Sequence, residues 1–356
     1  MRINFKLFNF RRLYIHFCFL ALLNIFFSTG NSYANTFSIN DIEISTPFEI
    51  NFNKNEIIDE GFVKAFNRLI LSIAQTKDQN KLKKISLIKI KGMIETFSIK
   101  EEKFIDGIYY LTLNVSFNKK NIFDLFESQN IFPSLPIKRD VFFMPIIIDK
   151  NKDEILIFSE NYLFNNWNTV NKKFYLINYI LPTEDLDDFN LIKRNLENYD
   201  FEEIIQKYNL DDYIIMIVFK NDKEIRVLNK INFNKKTDLK NLSFKNLKLD
   251  SDNEIDKFTE TLKNIYENYW KSKNEINTSV KLSLKVSINN SDSSRISQFE
   301  KILSNVDLIY NFQIYKFNNK ENFYNIIFNG SPDYFLEIMK NKHYEFNTQN
   351  MIWSIK

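Results

Sequence analysis

Val280, Leu282, Leu284, Val286 and Ile288 alternate with Lys281, Ser283, Lys285 and Ser287. A period of two fits a strand with one packed face and one face in water, because successive side chains of an extended chain point to opposite sides. Such a strand needs neighbours and a cover for its apolar face, and the residues after it supply both. Ser291-Asp292 starts a helix with Ile296, Phe299 and Leu303 inward, and Leu308, Tyr310, Phe312 and Ile314 form a second strand. Asn318-Asn319 then turn the chain into Phe323 to Phe328. Gly330-Ser331-Pro332 stops that hairpin, with Ser331 as N-cap and Pro332 in the first position of a helix that buries Phe335, Leu336 and Met339. A strand from Tyr344 to Ile355 closes the unit. The order β-α-β-β-α-β predicts a ferredoxin-like C-terminal domain over 279–356.

The other end of the chain is built differently. Arg2, Lys6, Arg11 and Arg12 precede an apolar run from Leu13 to Phe27, after which Ser28 to Ala34 turns small and polar and ends in Ser32-Tyr33-Ala34. A basic n-region, an apolar h-region and an A-x-A-like site, in that order, predict a signal peptide over 1–34, cleaved between Ala34 and Asn35. The run is about 15 residues and is broken by His16 and Asn24, whereas a spanning helix needs roughly 20. Cys18 follows Ile15-His16-Phe17 rather than the small residues of a lipoprotein box. A retained single-pass inner-membrane anchor is the alternative, and with cleavage the mature chain has no transmembrane segment.

Export changes the charge. The 356 residues carry 48 Lys and Arg against 45 Asp and Glu, for a net +3. Four of the basic residues and none of the acidic ones lie in 1–34, so the mature chain has 44 against 45 and a net charge of −1. The basic excess belongs to the leader, which removes the argument for a nucleic-acid partner. With Cys18 gone, His343 is the one remaining member of the Cys and His set. Disulfides, cysteine-based zinc or iron–sulfur sites and histidine metal centres are excluded, and stability has to come from apolar cores. The glycines left, Gly61, Gly92, Gly107 and Gly330, cannot write a Walker loop, G-x-G-x-x-G or G-x-S-x-G. No catalytic residue, cofactor or metal ligand is predicted. The surplus of Phe, Ile, Lys and Asn, with alanine confined to Ala21, Ala34, Ala65 and Ala74, is an AT-rich codon bias rather than a functional tract.

Between the ends the chain reads as a mixed α+β protein of several domains. Residues 35–132 form an N-terminal strand-helix-hairpin-helix unit. In it, Ile58, Phe62, Ala65, Leu69 and Ile73 share one face of a helix capped by Asn55, and strands over 93–99 and 108–117 meet at Asp106-Gly107. The Phe132-Pro133-Ser134-Leu135-Pro136 stretch is a boundary. A middle α/β layer over 139–275 has strands at 141–148, 155–158, 213–219 and 225–231, with helices from Thr183-Glu184-Asp185 and over 201–208. It ends in a long helix, 252–271, whose Ile255, Phe258, Leu262, Ile265 and Tyr269 face the core; two heptads are too few for a coiled coil.

These residues resemble an uncharacterised family of exported Gram-negative, proteobacterial envelope proteins, known only as a domain of unknown function. The resemblance is carried by Ala65-Phe66 and Leu69, by Phe97-Ser98-Ile99 with Glu102-Lys103, Tyr109 and Val115-Ser116-Phe117, and by Phe143-Met144-Pro145. It continues through Leu181-Pro182, Tyr208 before Ile214 to Val218, then Val306, Gly330, Leu336 and Trp353. It implies a periplasmic envelope protein and brings no catalytic residue with it.

Four features invite chemistry. His343 has no second His or Cys to share a metal, and a histidine after a helix suits the dipole there. Glu184, Asp185, Asp187 and Asp188 suggest a cation site or acid/base pair, but acids in a first helical turn are also what the macrodipole favours. Asp250, Asp252 and Glu254 open like a calcium loop, which then fails because Ile255 and Thr261 stand where Gly and Glu are required. Lys81, Lys83, Lys84, Lys89 and Lys91 interleave with Leu82, Ile85, Leu87, Ile88 and Ile90, as an amphipathic element with a solvated basic face does. The resulting expectation is a periplasmic, non-enzymatic binding or scaffolding component of the envelope, whose partner is another envelope protein or a ligand. The alternative is a periplasmic hydrolase or transferase that uses carboxylates alone. Terminal sequencing of the exported protein is expected to begin at Asn35; a first residue of Met1 would make the leader an anchor.

Overall fold

The computed structural model describes residues 37–196 and 198–356, so the predicted leader with Ala34 and Asn35 lies outside the described residues. Strand β1 (Ser38–Pro47) stops at a proline, which cannot donate to a ladder. Helix α1 (Lys54–Ile73) is capped by Asn53 rather than Asn55, the Asn53 side chain accepting the Asn55 N–H at 3.1 Å. Short helices α2 (Thr76–Leu82) and α3 (Leu87–Lys91) follow, then strands β2 (Ile94–Ile105) and β3 (Ile108–Phe117) and helix α4 (Lys119–Ser128). β2 continues straight through Glu101-Glu102-Lys103, which sequence assigns to a connection. Its hairpin turn holds Asp106 and Gly107 at φ 51 and 75, the left-handed pair of a type I′ turn. β3 is central in the antiparallel order β1-β3-β2 and buries Tyr109, Leu111, Leu113, Val115 and Phe117 on one face. Gly61 lets α1 lie close to that face, since a Cβ there would meet Ile44 Cδ1 at 2.8 Å and run into Leu113.

The middle of the chain is strand β4 (Arg139–Asp149), strand β5 (Glu154–Leu156), helix α5 (Tyr162–Asn166), strand β6 (Ile177–Ile180), and helices α6 (Leu186–Asn195) and α7 (Glu202–Lys207). Strands β7 (Tyr213–Lys220), β8 (Glu224–Phe233) and β9 (Lys236–Lys245) and helix α8 (Asp252–Lys273) complete it. The strand expected to reach Phe158 ends at Leu156, because Phe158 takes φ 51 and begins a single 3₁₀ turn. The sheet order is β5-β4-β7-β8-β9, with β6 on the same edge of β4 as β5. β6 and β7 run parallel to β4, and the other pairs are antiparallel. β4 reads as a continuous apolar run because both of its faces are covered. Val141, Phe143 and Ile147 share a core with α8, while Phe142, Met144 and Ile146 share one with α6 and α7.

The last part is strand β10 (Leu282–Asn289), helix α9 (Ser293–Asn305), strands β11 (Ile309–Phe317) and β12 (Glu321–Phe328), helix α10 (Pro332–Lys340), and strands β13 (Phe346–Asn347) and β14 (Trp353–Ile355). The sheet order is β11-β12-β10-β14-β13, with β14 parallel to β10 and β13 antiparallel to β14. The single closing strand expected over 344–355 is thus two short ones. The Asn347 side chain accepts the Gln349 N–H at 3.1 Å and starts the reversal between them.

The described residues make a mixed α+β fold with three sheets and ten α-helices. Buried residues of the first part, among them Phe37, Phe66, Phe117 and Phe123, form one cluster with Phe299, Tyr324, Phe328 and Phe335 of the last. Lys119 Nζ donates to Val306 O, Tyr310 Oη to Asp124 and Lys281 Nζ to Glu127, each at 2.7 Å, around that shared core. Among the described residues no helix is long and apolar enough to cross a membrane.

Gly61→Ala is expected to lower the urea unfolding midpoint, with overpacking of about 1–3 kcal/mol outweighing the helix-propensity gain. Leu113 and Ile44 are both buried and have nowhere to move. Gly92→Ala, whose Cβ meets backbone only at 3.5 Å, is expected to leave the midpoint unchanged or raised.

Candidate functional site

Ser251 Oγ accepts the Glu254 N–H at 3.4 Å and fixes the start of α8. The helix presses Ile255, Phe258, Leu262, Tyr266, Tyr269 and Trp270 toward the middle sheet. Beside that stripe, at steps of four, run Thr259, Lys263, Glu267 and Lys271. The three charged groups are only 2%, 3% and 3% exposed, and buried charges persist only with partners.

Each has partners from a different part of the chain. Glu267 accepts the N–H of Leu176 at 3.0 Å and of Ile177 at 2.9 Å, where β6 begins. Lys271 Nζ donates to Leu71 O, and to Ala74 O at 3.2 Å, at the end of α1. Lys263 Nζ donates to Val170 O at 2.6 Å. The rings of Tyr179, Trp167 and Tyr175 stand 5.1, 5.5 and 5.8 Å from the Lys263 ammonium, within cation–π range. Trp167 stacks on Phe143 of β4 with centroids 4.0 Å apart, and Tyr266 Oη donates to Asn229 of β8. Burial pushes Lys263 and Lys271 down to about 8, against the pull of Glu267. Burial raises Glu267, opposed by the Ile177 and Leu176 N–H groups and by both lysines. The Tyr175, Tyr179 and Tyr266 phenols are also held up by burial.

Four polar atoms along this row and its cover are buried with no hydrogen-bond partner among the described residues: Trp167 Nε1, Tyr175 Oη, Tyr179 Oη and Thr259 Oγ1. Native proteins rarely leave such groups unsatisfied. Tyr175 also lines a surface cleft of about 510 Å³, with Lys138, Asp140, Asn171, Lys172 and Lys173 around it. Lys172 pairs with Glu260 of α8, and Asn178 donates to Asp140 at 2.8 Å.

The features singled out from sequence lie elsewhere. His343 is exposed at φ 66, with its N–H bonded to Lys340 O at 2.9 Å, beside a cleft of about 380 Å³ that Arg295 and Lys342 also line. Asp185 caps α6 by accepting the Asp187 N–H at 2.8 Å. Glu184 accepts from Ser159 at 3.1 Å, and Asp188 is buried against Lys207. Asp250 pairs with Lys220 at 3.3 Å, and Glu254 accepts the Asp250 N–H at 3.1 Å, so these acids serve the start of α8. The five lysines of 81–91 are exposed on α2, α3 and their connection, while Leu82 and Ile90 are buried beneath. Among the described residues no group of three or more His, Cys, Asp or Glu is placed to hold a metal ion.

A second feature is at the surface. Among the described residues β2 ends the first sheet and is hydrogen-bonded to β3 alone. Phe97, Ile99, Phe104 and Ile105 along it are each about two-fifths to three-fifths exposed (39–59%).

Sequence reading misses the α8 row altogether. Alternating charges four apart read as a solvated row of helix ion pairs. The apolar residues at 262, 266 and 270, each one position before a charged one, were the available sign that the buried stripe is wide enough to include them.

No family model matches the chain, and no curated protein is similar to it. One solved structure, described as the crystal structure of an uncharacterized protein, is similar over 39% of this chain and 95% of its own, with 10% identity and a TM-score of 0.16. A score that low carries no argument about fold or function.

Because Lys263 and Lys271 hold their protons less tightly when folded, the unfolded chain binds more protons between about 8 and the ordinary lysine value of 10.5. Stability from these two groups therefore rises with pH across that window. The raised tyrosines act oppositely above their ordinary value of 10.0. Urea unfolding at the lower edge of the window and just below 10 is expected to show the rise in the wild type. The paired change Lys263→Met and Lys271→Met should flatten it, and an equal slope in both proteins would refute the assignment.

Proposed function

We propose that the chain acts by binding, as a non-enzymatic scaffolding component of a Gram-negative cell envelope, exported to the periplasm by the segment 1–34. Membership of the exported envelope family that the sequence resembles is part of the same proposal. The observation that supports it most directly is β2. An end strand offers a row of unpaired N–H and C=O groups, and an extended partner segment can add to it as a further strand. The half-exposed Phe97, Ile99, Phe104 and Ile105 give such a segment apolar contacts. Lys100 and Lys103, together with the irregularity between Ile99 and Glu101, are the devices that keep an edge from pairing indiscriminately.

We read the last sheet as a ferredoxin-like arrangement whose closing strand is reversed. Its element order is that of the split βαβ unit, and it departs from the plain form where β13 turns back into β14. Its outer strand β11 carries exposed Ile314, Tyr315 and Phe317, a second edge of the same character. Catalysis by carboxylates draws less support, because two convergent acids are needed, and Glu267 is surrounded by lysines with its oxygens taken by backbone.

A photoreactive residue at position 99 in intact cells is expected to give a discrete adduct with another envelope protein. The paired change Phe97→Asp and Phe104→Asp should abolish it. A product pattern matching that from the exposed position 88 on α3, or fractionation of the protein with the cytoplasm, would overturn the reading.

A further inference from the structure

We propose that the cluster around Lys263 is an internal binding site for a small anion rich in hydrogen-bond acceptors, a monocarboxylate or an inorganic oxyanion. Its lining is rich in donors. Trp167 Nε1 and the Lys263 ammonium can only donate, and the Tyr175, Tyr179 and Thr259 hydroxyls can donate as well as accept. Trp167 and Thr259 are wholly buried, Tyr179 is 5% exposed and Tyr175 8%, and none of the four polar atoms has a partner among the described residues. Lys263 gives one of its three protons to Val170 O. The nearby acceptor, Glu267, is already engaged with the Leu176 and Ile177 N–H groups.

A water molecule accepts at most two hydrogen bonds, fewer than the Trp167 N–H and the two remaining Lys263 protons offer together. An oxyanion brings several lone pairs and no donor, and its charge is matched by the ammonium. The negative charge of Glu267 opposes it, while Lys263 and Lys271 on either side leave the row with a net positive charge. Tyr175 also lines the cleft of about 510 Å³, where Lys172 pairs with Glu260, Lys173 with Glu43, and Lys138 stands with Asp140. The site stands independently of whichever partner takes the β2 edge.

The probes are acetate and inorganic phosphate, titrated at constant ionic strength against chloride into ¹⁵N-labelled protein containing residues 35–356. The Trp167 indole N–H resonance, assigned through Trp167→Phe, is the reporter. A saturable shift with a midpoint of about 1 mM is expected for one probe, while the Trp270 and Trp353 resonances stay in place. Lys263→Met should abolish the shift. Should that variant not fold, Tyr175→Phe with Tyr179→Phe removes two donors and is expected to weaken binding at least about tenfold. A shift that is linear to about 100 mM, or that is unchanged in these variants, means solvent fills the cluster and overturns the proposal.

Discussion

A buried ammonium ties the middle of this protein to its beginning. The last carbonyls of a helix have no partners within it and carry the negative end of its dipole. At the end of α1 the Leu71 and Ala74 carbonyls accept from Lys271 of α8, and Ile73 O accepts both the N–H and the hydroxyl of Ser134. One turn back along α8, Glu267 receives the N–H groups that open β6. A helix otherwise free to slide along an apolar sheet is thereby fixed in register by groups that cannot be left alone. That is the service of buried charge here, since apolar residues of equal size would pack as well without fixing a position.

The elements that were legible in sequence are those whose period is local. The alternation of 282–288 became β10, the stripe Ile255 to Tyr269 became α8, and Ser331-Pro332 began α10. What escaped depends on contacts across the chain. β6 is four residues long and is placed by β4 and a glutamate far along the sequence, so no periodicity announces it. Lys263, Glu267 and Lys271 have the spacing of a solvated row and are buried because the 167–176 segment and the end of α1 cover them. The reversal after Asn347 is likewise a side-chain decision within an otherwise strand-like run.

The shared apolar cluster bears on how the parts depend on one another. Phe37 and Phe123 of the first part meet at 5.5 Å in the same core that contains Phe299 and Phe335 of the last. The middle layer has two cores of its own, one on each face of its sheet. Segments adjacent in sequence are thus not the ones that share a core. The middle layer is inserted between two parts that complete each other.

β14 consists of Trp353 to Ile355 and lies inside its sheet, between β10 and β13, rather than at the margin. A chain made from its N-terminus presents those residues after every other strand of that sheet. The third sheet cannot close before they arrive, and the first part shares its core with that sheet. Contacts between distant segments form slowly. The early segments, with their many phenylalanines, therefore have to remain tractable until β14 is available. Order of emergence, as much as final packing, sets the demand this sequence places on the cell that makes it.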